Sequence, residues 1–427
     1  MKTLKHEQSI AAYDRLVRKS EVSFPIEIIQ EIVSRLPVKS ILQFRSVCKP
    51  WLSLISDPSF TKLHLTRSTV NPRTALLIAT YDIDTRDRHL LSVAPDGGPL
   101  THLMTLHNAP DTTIYMQLIV SEHVNGLVLF TSSYKTLADK FAFIVNPSTR
   151  EIYELPYPDT HISYLPGFNE LRNEHVILSV RKPTQSLMPY EPNTIEFMIF
   201  SLLSYSWKKI DADLPFNIKW DLFDIRWDED SDRWLFCTKL SVCVNSVIHL
   251  MLRDPSEILG FDLSSEKFLI INIPDDAIPN SLGTDYTKNG EDKYKSDHPV
   301  LVKINGLLVV VCHDRVVESN EMHIWILQDY EKRVWIRETI TFPKPWIDLD
   351  EPFPLDSVDM DKIVFSSQKV SDAAINVPIY DMKTKRFNFL HCTVDHQFLH
   401  SETTQLDHVI NYVETILPLK KMDQGNI

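Results

Sequence analysis

The apolar residues near the start of the chain follow a helical period. They are Ile28, Ile29, Ile32, Val33 and Leu36, and the polar residues between them fall on the other side of a helix. Pro25 suits a first helical turn, where its missing N–H has no intrahelical partner, and Pro37 stops the run. The pattern therefore predicts an amphipathic helix between these two prolines.

Two further short helices are predicted downstream. The second starts near Ser40, and its apolar positions are Ile41, Leu42, Phe44 and Val47. The third covers residues 49–55, and Asp57-Pro58 closes the segment. Domains below about 40–70 residues seldom build a self-sufficient core. We therefore expect the surplus apolar surface of this head to pack on the following domain or on another protein.

From residue 73 to residue 420 the pattern changes to short β-branched and aromatic runs between clusters of Asp, Asn, Ser and Pro, which is typical of strands. One unit recurs, in which two apolar residues seven positions apart bracket four turn-forming residues. The pairs are Val93/Leu100, Val145/Ile152, Phe200/Trp207, Phe261/Phe268 and Tyr380/Phe387, with Trp325/Trp335 as a sixth copy carrying three extra residues.

Successive copies of this unit start 52, 55, 61, 64 and 55 residues apart. A period of about 50 residues is typical of kelch propeller blades. The repeat predicts a large all-β domain that folds as a kelch-like β-propeller of about six blades. The alternative is a large sandwich or an irregular barrel. Residues 409–419 are expected to return a strand to the first blade and close the ring.

Glycine is scarce, with 9 residues in a chain of 427. No GxGxxG or GxxxxGK[ST] motif occurs, which excludes the usual Gly-rich phosphate cradles. Four-residue hairpin loops built around a type I turn tolerate most residue types. We therefore expect the repeated turns to do without glycine.

The net charge of −13 is unevenly distributed. Residues 1–70 contain 11 Lys/Arg and 6 Asp/Glu, a net charge of +5, which leaves −18 for the rest of the chain. Nucleic-acid binding that is independent of sequence needs basic side chains to displace phosphate counterions, so the acidic part is a poor candidate. The basic head suits an acidic partner.

The five cysteines, Cys48, Cys237, Cys243, Cys312 and Cys392, are scattered and odd in number, which is not a disulfide framework. The first 20 residues lack the apolar core of a signal peptide, and no apolar run is long enough to span a membrane. We expect a reducing compartment, the cytoplasm or the nucleus, and no membrane partner.

The head resembles an F-box. The matching residues, in order, are Phe24-Pro25, Glu31-Ile32, residues 36–41, residues 44–49, Trp51, residues 54–58 and Phe60. The resemblance implies a three-helix module, residues 21–67, that docks onto an acidic Skp-type adaptor and so joins a cullin-based SCF ubiquitin ligase. Carried over by position, the residues expected to face the adaptor are Pro25, Ile28, Ile29, Leu36, Pro37, Ile41, Leu42, Val47 and Trp51. Phe44 and Leu54 fit either this surface or the core of the head.

The β region is similar to the F-box-associated domain of plant F-box proteins. The similarity rests on motifs that include Asn125-Gly126, residues 146–151, Ile324-Trp325, Tyr380-Asp381 and residues 412–415. It implies a substrate-recruiting domain related to kelch propellers. The predicted organisation is a disordered arm (1–20), the F-box (21–67), the β domain (73–420) and a tail (421–427).

Clusters that suggest other chemistry are weak. Asp228, Asp230 and Asp232 fit the first positions of a calcium loop, but Arg233 and Lys239 replace the glycine and glutamate that the loop needs. Another cluster, His391, Cys392, His396 and His400, lies in a strand-rich context that argues against a zinc-binding helix. No GxSxG, HExxH or CxxC motif is present. We expect no catalytic residues, cofactor or metal.

These observations predict a non-catalytic substrate-recognition subunit of an SCF ligase, whose β domain recruits a protein target. Two alternatives stay open. One is an F-box protein that acts outside a cullin ligase, and the other is a small-molecule-binding or enzymatic propeller with an F-box-like helical cap. A cluster of perturbed carboxylates or histidines in the central channel of the propeller would favour the last.

Overall fold

The computed structural model describes residues 25–70, 75–82, 84–85, 87–107, 118–132, 142–156, 161–181, 196–211, 241–251, 257–278, 299–312, 316–349, 351–359, 361–365, 370–371, 374–393 and 404–419. Five α-helices lie within these ranges: α1 (Ile26–Val33), α2 (Val38–Phe44), α3 (Lys49–Ile55), α4 (Pro58–Val70) and α5 (Val316–Ser319). Outside them lie the predicted arm (1–20), Phe24, the acidic cluster at 221–232, His396, His400 and the tail (421–427).

The first three helices follow the predicted order. Pro25 and Pro37 hold extended backbone just before α1 and α2, so each proline starts a helix. For that reason α2 begins at Val38, two residues earlier than expected. The bounds of α3 match the prediction, with Pro50 in its first turn, where a missing N–H costs nothing.

The fourth helix corrects the sequence prediction, because Asp57-Pro58 opens α4 instead of closing the segment. The Ser59 N–H donates to Oδ1 of Asp57 over 2.8 Å, and the Asp57 carbonyl accepts from Phe60 and Thr61. Asp57 is thus an N-cap, and the hydrogen bonds from Ser59 hold the pKa of its carboxyl below the ordinary value. Helix α4 buries Phe60 and Leu65.

The remainder is a β domain, with α5 and two short 3₁₀ turns between its strands. The strands are β1 (Ala75–Asp82), β2 (Arg88–Val93), β3 (Gly98–Pro99), β4 (Thr101–Leu106), β5 (Leu118–Val124), β6 (Leu127–Ser132), β7 (Ala142–Asn146), β8 (Glu151–Glu154), β9 (His161–Asn169), β10 (Glu174–Arg181), β11 (Glu196–Ser201), β12 (Ser206–Lys209), β13 (Ser241–Val244), β14 (Val247–Met251), β15 (Glu257–Asp262), β16 (Lys267–Asn272), β17 (Val300–Ile304), β18 (Leu307–Cys312), β19 (Glu321–Asp329), β20 (Val334–Thr341), β21 (Pro354–Asp359), β22 (Lys362–Phe365), β23 (Val370–Ser371), β24 (Ala374–Asp381), β25 (Arg386–Thr393) and β26 (Thr404–Tyr412).

Most of these strands form antiparallel units of four, which we call meanders 1 to 6. Meander 1 is β26-β1-β2-β4, and meanders 2, 3 and 4 are β5 to β8, β9 to β12 and β13 to β16. Meanders 5 (β17 to β20) and 6 (β21-β22-β24-β25) share one ten-stranded sheet through a parallel bridge between Lys303 and Asp356.

The first strands of the meanders contact one another in a cycle: β26 touches β5, β5 touches β9, and so on through β13, β17 and β21 back to β26. Six apolar cores lie between successive meanders, and we call each of them a seam. Neighbouring residues on a strand face opposite seams, as Ile258 and Leu259 do on β15. This double burial explains why the strands read as continuous apolar runs.

A strand from late in the chain does complete the first meander. Strand β26 pairs antiparallel with β1, with Leu77 opposite Ile410. The predicted stretch, residues 409–419, was placed too late, because the strand ends at Tyr412. Residues 413–419 continue as an extended segment, which we call the strap.

The predicted hairpin unit is confirmed in four of its six copies. The residues of each of these pairs lie directly opposite each other: Val145/Ile152, Phe200/Trp207, Phe261/Phe268 and Tyr380/Phe387. The pairing of Trp325 with Trp335 was wrong, because an irregularity between Leu327 and Asp329 puts Leu327 opposite Trp335. Val93 and Leu100 lie just beyond the last β2–β4 pair, Ser92 with Thr101.

Five of the six predicted turns do without glycine, as expected, whereas the first contains Gly97 and Gly98. The last turn residue has a positive φ and is not glycine in each of five hairpins: Arg150 (61°), Tyr205 (53°), Glu266 (54°), Arg333 (57°) and Lys385 (55°). A polar residue at the start of each turn offsets part of this strain. For example, Oδ1 of Asp381 accepts from the Lys383 and Thr384 amides, both over 2.9 Å.

Candidate protein-binding surface of the head

The core of the helical head is small. Five buried residues of the head form it, Val33, Val38, Ile41, Ile55 and Phe60, together with Ile416 of the strap. Ile29, Leu36, Leu42, Phe44 and Leu54 pack around them and are half-buried. Phe44 and Leu54, for which the sequence left two roles open, therefore contribute to the core.

Several large apolar side chains of the head instead face outward. They are Ile26 (45% exposed), Ile28 (46%), Ile32 (56%), Val47 (63%) and Leu52 (44%), and we call them the apolar surface of the head. Single exposed apolar residues are normal on proteins, but five within 27 residues of a small helical unit indicate an interaction site.

The structure separates the nine residues predicted to face a partner into three groups. Pro25, Ile28 and Val47 are exposed. Half-buried are Ile29, Leu36, Pro37, Leu42 and Trp51. Ile41 does not fit the prediction, because it is fully buried in the core of the head and has no surface to offer a partner.

Sequence reasoning missed Ile26, Ile32 and Leu52 as surface residues. For Ile32 a signal was present, because Ile28 and Ile32 lie four residues apart on one side of α1. Ile29 and Val33 make the same i, i+4 pair one step around the helix, and they turn toward the core. The apolar arc of α1 is thus wider than one core covers, and Ile28 and Ile32 on its outer edge stay exposed.

Charged contacts fix α1, which carries much of this surface, against α4. The Arg67 guanidinium on α4 pairs with the Glu31 carboxylate and donates to the Glu31 carbonyl over 3.0 Å and to Oγ of Ser34. Hydrogen bonds from Arg35, and then from Arg67, hold the pKa of Glu31 below its ordinary value. Arg35, Lys39, Arg45 and Lys49 are exposed around the apolar surface, which suits an acidic partner.

The β domain buries two histidines, His175 and His249, and burial lowers the pKa of each to about 4. Nε2 of His175 donates to the Val124 carbonyl over 3.1 Å. The Nδ1 of His249 lies 3.3 Å from the Val242 carbonyl, and its Nε2 lies 3.0 Å from the Tyr330 hydroxyl. A neutral ring that donates through Nδ1 and accepts from Tyr330 satisfies both contacts. Both histidines thus bridge neighbouring meanders, which is a structural role.

Within the described ranges, no group of three or more His, Cys, Asp or Glu side chains is placed to hold a metal ion. Of the suspected zinc ligands, Cys392 is buried in the seam between meanders 6 and 1, and Nδ1 of His391 contacts Oδ1 of Asn376 over 2.9 Å. Among the helices in these ranges, none is long and apolar enough to cross a membrane. The clearest candidate for function is therefore the apolar surface of the head.

Comparison with known proteins agrees with this architecture of a small helical head before a repetitive β domain. Residues 22–63 match the F-box domain, and residues 100–413 match the F-box associated beta propeller domain. The chain is similar to the F-box protein At5g65850 of Arabidopsis thaliana, with 26% identity over 340 residues, 77% of this chain and 73% of the relative. It is similar to the F-box protein At1g30790 of the same plant, with 24% identity and 77% of each chain covered. The protein belongs to the family of plant F-box proteins with an F-box associated beta propeller domain.

Proposed function

We propose that this protein is the substrate-recognition subunit of an SCF-type ubiquitin ligase. In this proposal the apolar surface of the head docks onto a Skp-type adaptor, and through it onto a cullin, while the β domain binds a protein target. The observation that carries the proposal is the set of five exposed apolar side chains on a module that matches the F-box.

The protein would act by bringing two partners together rather than by chemistry of its own. A target held on the β domain is kept near the ubiquitin-loaded enzyme, which raises the effective concentration of its lysines. We further propose that the six meanders are the blades of a kelch-like propeller, supported by their cyclic contacts and by the six seams. The sites of action proposed are the cytoplasm and the nucleus.

The proposal is tested by measuring the affinity of the full chain for a purified Skp-type adaptor. The variant Ile28→Asp/Val47→Asp places two carboxylates in the apolar surface, and we expect at least a 100-fold loss of affinity, about 2.7 kcal/mol. Leu203→Asp is the matched control, because Leu203 is an apolar residue of the β domain that is 70% exposed. It should bind like the wild type.

A wild-type chain that fails to bind the adaptor would refute adaptor docking. Equal binding by the double variant, with its circular dichroism unchanged, would refute the assignment of the surface. Addition of a purified cullin distinguishes a ligase subunit from an F-box protein that acts outside the ligase. The latter binds the adaptor without recruiting the cullin.

A further inference from the structure

The strap, residues 413–419, lies between the head and the β domain, and its side chains alternate between them. Glu414 and Ile416 contact the head, whereas Thr415, Leu417 and Leu419 contact the β domain. This period of two is that of an extended chain, whose successive side chains point to opposite sides. The strap is therefore a two-sided connector.

Toward the head, the strap supplies a core residue and a hydrogen bond. Ile416 is 6% exposed and is the member of the head's buried core that comes from outside the head. Oε2 of Glu414 accepts from the Val38 N–H over 2.9 Å. Val38 is the first residue of α2, and the amides of a first helical turn have no acceptor within the helix. Pro37, which precedes it, has no side-chain acceptor. Glu414 therefore supplies an acceptor for one of these amides.

Toward the β domain, polar contacts hold the strap on meander 2. Nδ2 of Asn146 donates to the carbonyls of Thr415 and Leu417, over 3.1 and 2.8 Å. The Leu419 N–H donates to Oε2 of Glu151 over 2.8 Å. A Cβ at Gly126 would lie 2.5 Å from Cγ2 of Thr415, so the close approach of the strap requires glycine there.

The strap also continues directly from the strand that completes meander 1. Tyr412, the last residue of β26, is 1% exposed, and its hydroxyl hydrogen-bonds to Oγ of Ser148 in the β7–β8 turn. Burial raises the pKa of Tyr412, so its hydroxyl stays protonated over the physiological range. The pairing of β26 with β1 thus places the strap where the head packs.

We infer that the strap is a structural part of the docking module: Glu414 and Ile416 complete the fold of the F-box, so that adaptor docking depends on a distant part of the chain, where Glu414 lies 376 positions after Val38. The part of this inference that concerns the adaptor rests on the proposed function. Glu414 and Ile416 are positioning residues, because they contact the core and a helix of the head and lie outside its apolar surface. The head is folded and oriented only when β26 is paired.

The test uses the full chain and reads two signals: hydrogen exchange of the head amides by mass spectrometry, and affinity for a Skp-type adaptor. In Ile416→Asp we expect exchange in α2 and α3 to accelerate at least tenfold and adaptor affinity to fall at least fivefold. Exchange in β13 to β16, which lie in meander 4 away from the strap contacts, should stay unchanged. Pro418→Asp adds the same charge at an exposed position of the strap and should change neither signal.

Ile416→Leu should keep most of the protection of the head, which distinguishes lost packing from a general effect of substitution. If Ile416→Asp does not yield soluble protein, Glu414→Ala is the milder variant, with about threefold faster exchange expected in α2. Wild-type exchange in the head of Ile416→Asp would overturn the inference, as would equal acceleration in α2 and in β13 to β16. A wild type that binds no adaptor would refute the proposed function, and the exchange measurement would still decide the role of the strap.

Discussion

The head and the β domain solve the problem of burying apolar surface in opposite ways. In the β domain inner strands such as β15 face two seams, and six seams share the large side chains among many neighbours. The head has one core, five residues of its own with Ile416 added, and leaves five large apolar residues exposed. The comparison teaches that the β domain buries its apolar surface between its own meanders, whereas the head takes Ile416 from the strap and still leaves apolar surface uncovered.

The largest loss of stability should come from removing a large buried side chain from a seam. Phe261 is fully buried between meanders 3 and 4, with its ring 4.8 Å from that of Phe268. Phe261→Ala should lower the free energy of unfolding of the β domain by about 3–5 kcal/mol, because the cavity adds to the lost transfer energy. Urea denaturation followed by tryptophan fluorescence measures the change. Phe60→Ala, which empties the core of the head, should leave that β-domain transition in place, and a common loss would show that the two regions unfold as one unit.

The next largest effect is a loss of folding stability at acidic pH. His175 and His249 have a pKa of about 4 when folded and about 6.5 when unfolded, so the unfolded chain binds protons more readily. Their contribution to stability is complete above pH 6.5 and is lost as the pH falls from 6.5 toward 4. Each histidine should cost about 2 kcal/mol of stability by pH 5.

Denaturation at pH 7.5 and pH 5 in wild type and His249→Gln tests this, with Leu203→Gln at a 70% exposed position as control. The fall in stability between the two pH values should shrink by about 2 kcal/mol in His249→Gln and stay unchanged in Leu203→Gln, which removes no titratable group. An identical pH dependence in all three proteins would show that burial does not shift the titration of His249.

A smaller effect is expected at the left-handed turn residues. Arg150→Gly relieves a φ of 61° and should raise the free energy of unfolding by about 0.5–1 kcal/mol, since the strain removed exceeds the added chain entropy. Lys385→Gly relieves similar strain but breaks the 2.6 Å contact between Nζ of Lys385 and Oε2 of Glu338, so it should gain less. Thermal unfolding monitored by circular dichroism compares the two variants. A loss of stability in Arg150→Gly would contradict the claim that the positive φ of Arg150 strains the backbone.

The smallest change in stability is expected at Val47, an exposed apolar residue of the head. Val47→Asp should change the stability of the isolated protein by less than about 0.5 kcal/mol, because the side chain is already 63% exposed. Hydrogen exchange in α2 and α3 measures this directly. Exchange that accelerates as much as in a core variant would mean that Val47 serves the folding of the head and not a partner.

Local patterns in the sequence were enough to predict the parts of the fold that depend on near neighbours. The bounds of α3 and four cross-strand pairs of the hairpin units follow from spacings of a few residues. The pairing of Trp325 with Trp335 failed because Asp329 and Val334 bracket a four-residue turn like those of the other hairpins. The partner of Trp335 therefore lies nearer the turn, and the irregularity at Gln328 makes it Leu327. Five of the six turns do without glycine, as expected, but spacing did not reveal that each of the five holds one left-handed residue, an Arg, Tyr, Glu or Lys.

The sequence was enough to place the candidate surface on the head but not to identify every residue that belongs to it. The apolar positions of α1 were visible, yet which of them face the core depends on α2 and α4. Ile41 was assigned to the surface by its position in the F-box resemblance, and the tertiary packing around Val33 and Phe60 buries it. The contribution of Glu414 had no local signal, because 376 residues separate it from Val38.

The position of the strap bears on what happens to incomplete copies of this protein. A polypeptide that stops before residue 413, after a nonsense mutation or aborted translation, carries the whole F-box sequence but lacks Glu414 and Ile416. If the head docks onto a Skp-type adaptor as proposed, such a fragment should compete poorly for that adaptor. Premature stop alleles should then behave as recessive losses of function, because an incomplete chain would not displace complete ones from the adaptor.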